Sequence, residues 1–200
     1  MRACDVMTTP VVTVTTDATV KDTAHLMASR GFTAIPVVDE DDRLIGIVTE
    51  ADIVRGRIPQ DARYRRPTDD ELPLPCAAVV NVMTSPVIAM GATTDVADLI
   101  TAMSDGKIRS MPIVDGSRVV GIVTRRDLVR VIGRADPEIE QDVRHKLAAC
   151  CGPERWNVRV HDGVVELGDE HDDETERHIA LVVAEAVPGV VAAHVMPVGH

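Results

Sequence analysis

A long pattern occurs twice in this chain, in order and without scrambling. The first copy reads DVMTTPVVTV and then AIPVVDEDDRLIGIVTEADIV; the second reads NVMTSPVIAM and then SMPIVDGSRVVGIVTRRDLV. Met7 aligns with Met83 and Pro36 with Pro112, both 76 apart. Gly46 aligns with Gly121 and Asp52 with Asp127, both 75 apart. The one lost residue falls in a polar segment, Glu40 to Arg43 against Gly116 to Arg118, where a hairpin turn tolerates a deletion. A duplicated unit of this kind predicts two half-domains packed about a pseudo-twofold axis, with ligands in the clefts between the halves.

Each copy reads as βαββα. In the first, Val11 to Val14 predicts a short strand, followed by an amphipathic helix from Val20 to Arg30. Thr16 and Asp17 are candidates for its cap, and Gly31 stops it. Ala34 to Val38 and Leu44 to Val48 read as buried strands around the acidic turn Asp39 to Asp42, and a short helix runs from Glu50 to about Gly56. The second copy repeats the order, with helices over Asp95 to Ser104 and Arg125 to Ile132. Residues 57–76 carry four prolines, four arginines and no period, so they read as a solvated linker.

The last stretch follows a different plan. Pro137 to Cys151 predicts a helix with apolar Ile139, Val143 and Leu147 four apart. Trp156 to His161 and Val164 to Leu167 flank Asp162-Gly163, a two-residue hairpin signal. A helix from Asp172 to Val187 ends at Pro188-Gly189, and Val190 to Met196 closes an αββαβ unit. The expected fold class is therefore α+β: a tandem βαββα pair followed by a small αββαβ unit. The boundaries are 1–56, linker 57–76, 77–135 and 136–200.

Composition narrows the partners. The 200 residues are 45% hydrophobic but hold only Phe32, Tyr64 and Trp156 as aromatics, so the core must be aliphatic. From Pro137 onward there are 13 acidic against 5 basic residues, most of the net charge of −11. Such a surface repels nucleic acid and anionic lipid. The start MRACDVMTTP lacks the apolar run of a signal peptide, and no stretch approaches the ~20 residues of a membrane span. Cys4, Cys76, Cys150 and Cys151 make no C-x-x-C pair and read as reduced thiols, which favours a cytoplasmic location.

The chemistry lies after the paired strands. Gly46-Ile-Val-Thr-Glu-Ala-Asp52 and Gly121-Ile-Val-Thr-Arg-Arg-Asp127 each run an apolar strand into Thr, with Asp three residues on as a helix begins. Helix N-termini offer unpaired amide donors and partial positive charge, which suits phosphate. The Thr hydroxyl can bond a phosphate oxygen, and the Asp carboxylate can accept from two ribose hydroxyls. The same Thr-x-x-Asp is also close to a capping box, in which both side chains merely satisfy backbone amides.

Residues 1 to 135 resemble a tandem pair of CBS domains, a Bateman module. The matching motifs are V-M-T at Val6 to Thr8 and Val82 to Thr84, the h-P-h-V-D strands Ile35 to Asp39 and Met111 to Asp115, and G-I-V-T-x-x-D twice. The resemblance implies a regulatory module that binds an adenosine-containing ligand such as AMP, ADP, ATP or S-adenosylmethionine, and that pairs into a disc-like homodimer. The family's ribose-binding Asp falls on Asp52 and Asp127, and its phosphate-side hydroxyl on Thr49 and Thr124. Its base and phosphate lining falls on Phe32, Thr33 and Ala34, and on Ile108, Arg109 and Ser110. First-strand contacts fall near Thr8 and Val12, and near Thr84 and Ile88. Arg109 has a guanidinium fork that suits phosphate where Thr33 has none, and Glu50 repels phosphate where Arg125 attracts it. The second set, with Thr124, Asp127 and Arg109, is the favoured site.

The C-terminal unit resembles a BON domain through Asp162-Gly163-Val-Val-Glu-Leu-Gly168 and Pro188-Gly189-Val190. That family is associated with phospholipid binding or interaction. The acidic balance here favours a contact with an unknown protein partner, or support of the dimer, over a membrane. Asp169, His171, Asp172 and His178 have no recognised metal-ligand spacing and read as solvated surface, so no metal is expected. No G-x-S-x-G, P-loop or H-E-x-x-H occurs, so no catalytic residue and no required cofactor are expected.

Overall fold

The duplicated pattern becomes duplicated secondary structure in the computed structural model, which describes residues 1–55, 77–152, 155–169 and 173–197. The linker 57–76, with Cys76 and Tyr64, lies outside the described residues, as do His171, Asp172 and His200. The first copy contains α1 (Ala3–Val6), β1 (Val14–Thr15), α2 (Val20–Arg30), β2 (Ala34–Val38), β3 (Leu44–Thr49) and α3 (Glu50–Val54). A single 3-10 turn, Val79–Asn81, opens the second, followed by β4 (Met90–Gly91), α4 (Val96–Asp105), β5 (Ser110–Asp115), β6 (Arg118–Thr124) and α5 (Arg125–Ile132). The remainder is α6 (Asp136–Cys151), β7 (Trp156–His161), β8 (Val164–Asp169), α7 (Glu174–Glu185) and β9 (Ala192–Pro197), the αββαβ order read from sequence.

Two local expectations are corrected. The cap of α2 is Thr19, whose hydroxyl accepts from Asp22 N at 3.1 Å, not Thr16 or Asp17. A cap must directly precede the first helical residue, and Thr15 and Asp17 instead bond each other in the turn before it. The first strand is also shorter than Val11 to Val14 suggests. Val11 is drawn into a separate apolar cluster, and only Val14 and Thr15 pair in parallel with Val37 and Val38.

Each copy forms a three-stranded sheet, β1-β2-β3 and β4-β5-β6. Five isolated bridges tie residues of one copy to residues of the other, and they obey the sequence offset. Ile47 pairs with Thr84 and Ile122 with Thr8; Thr19 pairs with Ala78 and Asp95 with Arg2. Arg43 pairs with Arg118, its own counterpart. The leading V-M-T segments are thus exchanged. Val79, fully buried, belongs to the core of Val20, Met27, Ile35, Val37, Val48 and Ile53. Gly46 lets this happen, because a Cβ there would stand 2.6 Å from Met83 Sδ and 3.1 Å from the Thr84 carbonyl. A second cluster joins Ala34, Ile47 and Ile122 with Val11 and Val87.

The chain gathers into two compact units: Met1–Met7, Thr93–Ala102 and Val123–His200 form one, and Thr8–Ala92 with Met103–Ile122 the other. Inside the first, the αββαβ portion has its own core. Ile139, Val143 and Leu147 from α6 pack with Val158, Val165, Leu167, Ala180 and Ala184, as their four-residue spacing predicts. Its sheet runs β7-β8-β9, antiparallel and then parallel. The hairpin turn has positive φ at both central residues, 50° at Asp162 and 74° at Gly163, as a type I′ turn requires. The Asp136 carboxylate accepts from both turn amides, at 2.9 and 3.0 Å. A Cβ on Gly163 would meet the Gly189 carbonyl at 2.8 Å. Gly163→Ala is therefore expected to lower stability by about 2 kcal/mol or more, read from the urea midpoint. An unchanged midpoint would show that the turn relaxes freely.

The same unit fastens α5 to the C-terminal elements. Arg134, just past α5, donates to the Pro188 carbonyl at 2.7 Å and pairs with Asp142 at 2.6 Å. Among the described residues no helix is long and apolar enough to cross a membrane.

Candidate functional site

The two G-I-V-T-x-x-D sequences fold identically where it matters. Thr49 and Thr124 leave their strands in extended conformation, with φ −116° and −112°, and cap α3 and α5. Thr49 N donates to Asp52 Oδ2 at 2.9 Å, and the Thr49 hydroxyl donates to the same oxygen at 2.7 Å. Asp52 N returns a bond to Thr49 Oγ1 at 3.4 Å. In the second copy the corresponding distances are 2.9, 2.6 and 3.4 Å. The capping box weighed from sequence is thus present twice.

One detail keeps the ligand reading open beside it. Both capping bonds use a single carboxylate oxygen, Oδ2. Asp52 keeps Oδ1 without a protein partner among the described residues. Asp127 turns Oδ1 toward Arg130 Nη1 at 3.4 Å and is itself buried. The cap therefore fixes the carboxylate's rotamer while committing one of its two oxygens. A carboxylate held this way loses little rotamer entropy when it accepts a further bond.

Around Thr49 the first-copy residues converge through backbone pairing. Ala34, buried, is the register partner of Thr49. The Thr33 carbonyl accepts from Glu50 N at 3.1 Å, which brings Thr33 to the start of α3. Phe32 is half-buried, its amide donating to Met27 O at 3.0 Å. Thr84 arrives from the other copy: it exchanges two backbone bonds with Ile47, at 3.1 and 2.8 Å, two residues before Thr49. Ile88 is 57% exposed.

In sequence order Thr8 and Val12 belong to the first copy and Thr84 and Ile88 to the second. The structure crosses these segments. Thr8 bonds Ile122 at 2.9 and 3.2 Å, and so adjoins the second copy's strand. Nothing local in the sequence signals this exchange; the only trace is the alignment of Thr8 with Thr84. Val12 is exposed, Ile108 half-buried with its amide on Met103 O at 2.8 Å, Arg109 exposed, and Ser110 buried at the start of β5. Arg109 and Arg125 hold the second-copy positions of Thr33 and Glu50, and both are exposed. Among the described residues no group of three or more His, Cys, Asp or Glu could hold a metal ion.

Comparison with known proteins gives this arrangement a family. The CBS domain model matches residues 3–58 and again 79–134, more than half of the chain. The chain is 33% identical to inosine-5'-monophosphate dehydrogenase of Aquifex aeolicus, covering 86% of this chain and 29% of that enzyme. It is 29% identical to the corresponding enzyme of Methanocaldococcus jannaschii over 155 residues, 76% of this chain and 28% of the enzyme. The chain thus spans less than a third of either relative. Among solved structures, the CBS domain pair of protein MJ0100, in complex with 5'-methylthioadenosine and S-adenosyl-L-methionine, superposes with TM-score 0.56 at 26% identity. It covers 66% of this chain and 96% of its own. With both copies matched separately and the fold of the pair shared with that structure, the chain belongs to the CBS-domain family.

Proposed function

We propose that the protein is a regulatory sensor of an adenosine-containing small molecule, without catalytic activity of its own. The supporting observation is the doubled Thr–Asp capping box, whose bonds from the Thr amide and hydroxyl both end on Oδ2 of the carboxylate. On this reading Asp52 and Asp127 accept from ribose hydroxyls, while the start of the following helix and the Thr side chain face the ligand's polar tail. A similar CBS pair, that of MJ0100, was solved with two adenosine derivatives.

The two sets are proposed to differ in charge preference. Glu50 and Thr33 beside Asp52 give no cation to a phosphate, so the first set suits an uncharged or cationic derivative such as 5'-methylthioadenosine or S-adenosylmethionine. Arg125, directly after Thr124, gives the second set a guanidinium group and suits AMP, ADP or ATP. Residues 136–200 are proposed as a BON-like module that carries the response to a protein partner or to a second copy of the chain, through the Arg134 fastening beside α5.

Thermal unfolding tests this with S-adenosylmethionine, 5'-methylthioadenosine, AMP and ATP in separate titrations. A ligand at a hundred times its Kd adds about 2.7 kcal/mol of stability. Stabilisation by a phosphate-bearing ligand should vanish in Asp127→Asn and persist in Asp52→Asn. No response to any of the four would replace the sensor with a ligand-free scaffold for dimerisation, its Thr–Asp pairs acting as caps only.

A further inference from the structure

The adjacent thiols Cys150 and Cys151, at the end of α6, take no part in either ligand set. Neighbouring side chains on a helix diverge and do not ordinarily face each other. Here they converge: the two sulfurs stand 3.1 Å apart, Cys150 exposed and Cys151 half-buried. A disulfide is a poor outcome for such a pair. Consecutive Cα atoms lie about 3.8 Å apart across a trans peptide, short of the roughly 4.4 Å minimum for an ordinary bridge. Burial pushes the Cys151 thiol up, reinforced by Cys150, which disfavours the thiolate needed for oxidation.

Geometry also selects among thiophilic centres. With sulfur bonds of about 2.3 Å, one centre bridging sulfurs 3.1 Å apart subtends an angle of about 85°. Tetrahedral zinc would need roughly 3.8 Å between the sulfurs. Among the described residues there is also no third His, Cys, Asp or Glu to complete a metal site. A pyramidal centre with near-right angles and few ligands fits both facts. An independent feature points the same way. Trp156 is nine-tenths buried, and its indole N–H faces the Cys151 sulfur, where its hydrogen bond opposes part of the rise that burial causes in that thiol. A metalloid-bound sulfur, more electron-rich than a thiol, would accept from it.

We propose that Cys150 and Cys151 form a chelating dithiol site for a trivalent metalloid of the arsenic(III) class. With phenylarsine oxide, two As–S bonds form and the As=O bond breaks. Both thiol protons leave with the oxygen as water, and no electron is transferred.

The test is intact-mass analysis of the full-length protein after phenylarsine oxide, followed by challenge with glutathione and then with dimercaptopropanol. One phenylarsenic adduct, less two hydrogens, is expected to survive the monothiol and leave with the dithiol. Its formation should quench the emission of Trp156, the sole tryptophan. Cys150→Ser, at an exposed position, should lower retention by about a hundredfold, the scale on which a second attachment point acts. Cys151→Ala should do the same, while Cys4→Ser and Cys76→Ser keep the adduct. Loss of the adduct to glutathione, its persistence in Cys150→Ser, or stoichiometric zinc held in its place would each overturn the assignment.

Discussion

Asp127→Ala is expected to weaken binding of a phosphate-bearing adenosine ligand by about 1.5 to 3 kcal/mol, the usual worth of a hydrogen bond to a charged group. Isothermal titration calorimetry reads this directly. The same substitution removes the acceptor of two bonds, from Thr124 N and the Thr124 hydroxyl, and so should cost about 1 kcal/mol of folding stability. The two effects are separable. In Asp127→Asn the amide oxygen still accepts from Thr124 N while the charge is gone, so most of the stability should return and most of the affinity should not. If Asn restores both, or if Ala leaves affinity untouched, the carboxylate serves the helix end alone.

The C-terminal portion invites a larger change in stability. Leu167→Ala is expected to cost about 2 to 5 kcal/mol, because Leu167 is completely buried on β8 among the residues from α6 and α7. The spread within that range depends on how far the neighbours close the cavity. Fully buried Val158, Val165 and Ala184 leave few side chains with room to move. Calorimetry should show a lowered transition assignable to residues 136–197. Adenosine-ligand affinity measured above that transition, with the remainder still folded, reports on coupling: unchanged affinity with a melted C-terminal portion would mean that the Arg134 fastening does not reach the ligand sets.

Sequence legibility followed distance along the chain. The helices Val20–Arg30 and Arg125–Ile132 are readable to the residue because their signals are local: apolar spacing and a Gly directly after the last turn. So is the α6 stripe of Ile139, Val143 and Leu147, every member of which is buried. The type I′ turn at Asp162-Gly163 follows from two residues that tolerate positive φ. The sequence places the cap of α2 two or three residues early, since Thr16, Asp17 and Thr19 are all competent caps and only the register of the helix chooses among them.

The Thr–Asp spacing of the G-I-V-T-x-x-D sequences determined the capping boxes by itself, because the bonds span three residues and need no distant partner. Duplication likewise determined that every such feature occurs twice. Tertiary structure alone decided that Thr84 stands against Ile47 and Thr8 against Ile122. Strand partners are chosen by the burial of Val79, Gly46 and the Ile47–Ile122 cluster, and apolar burial carries no address along the chain.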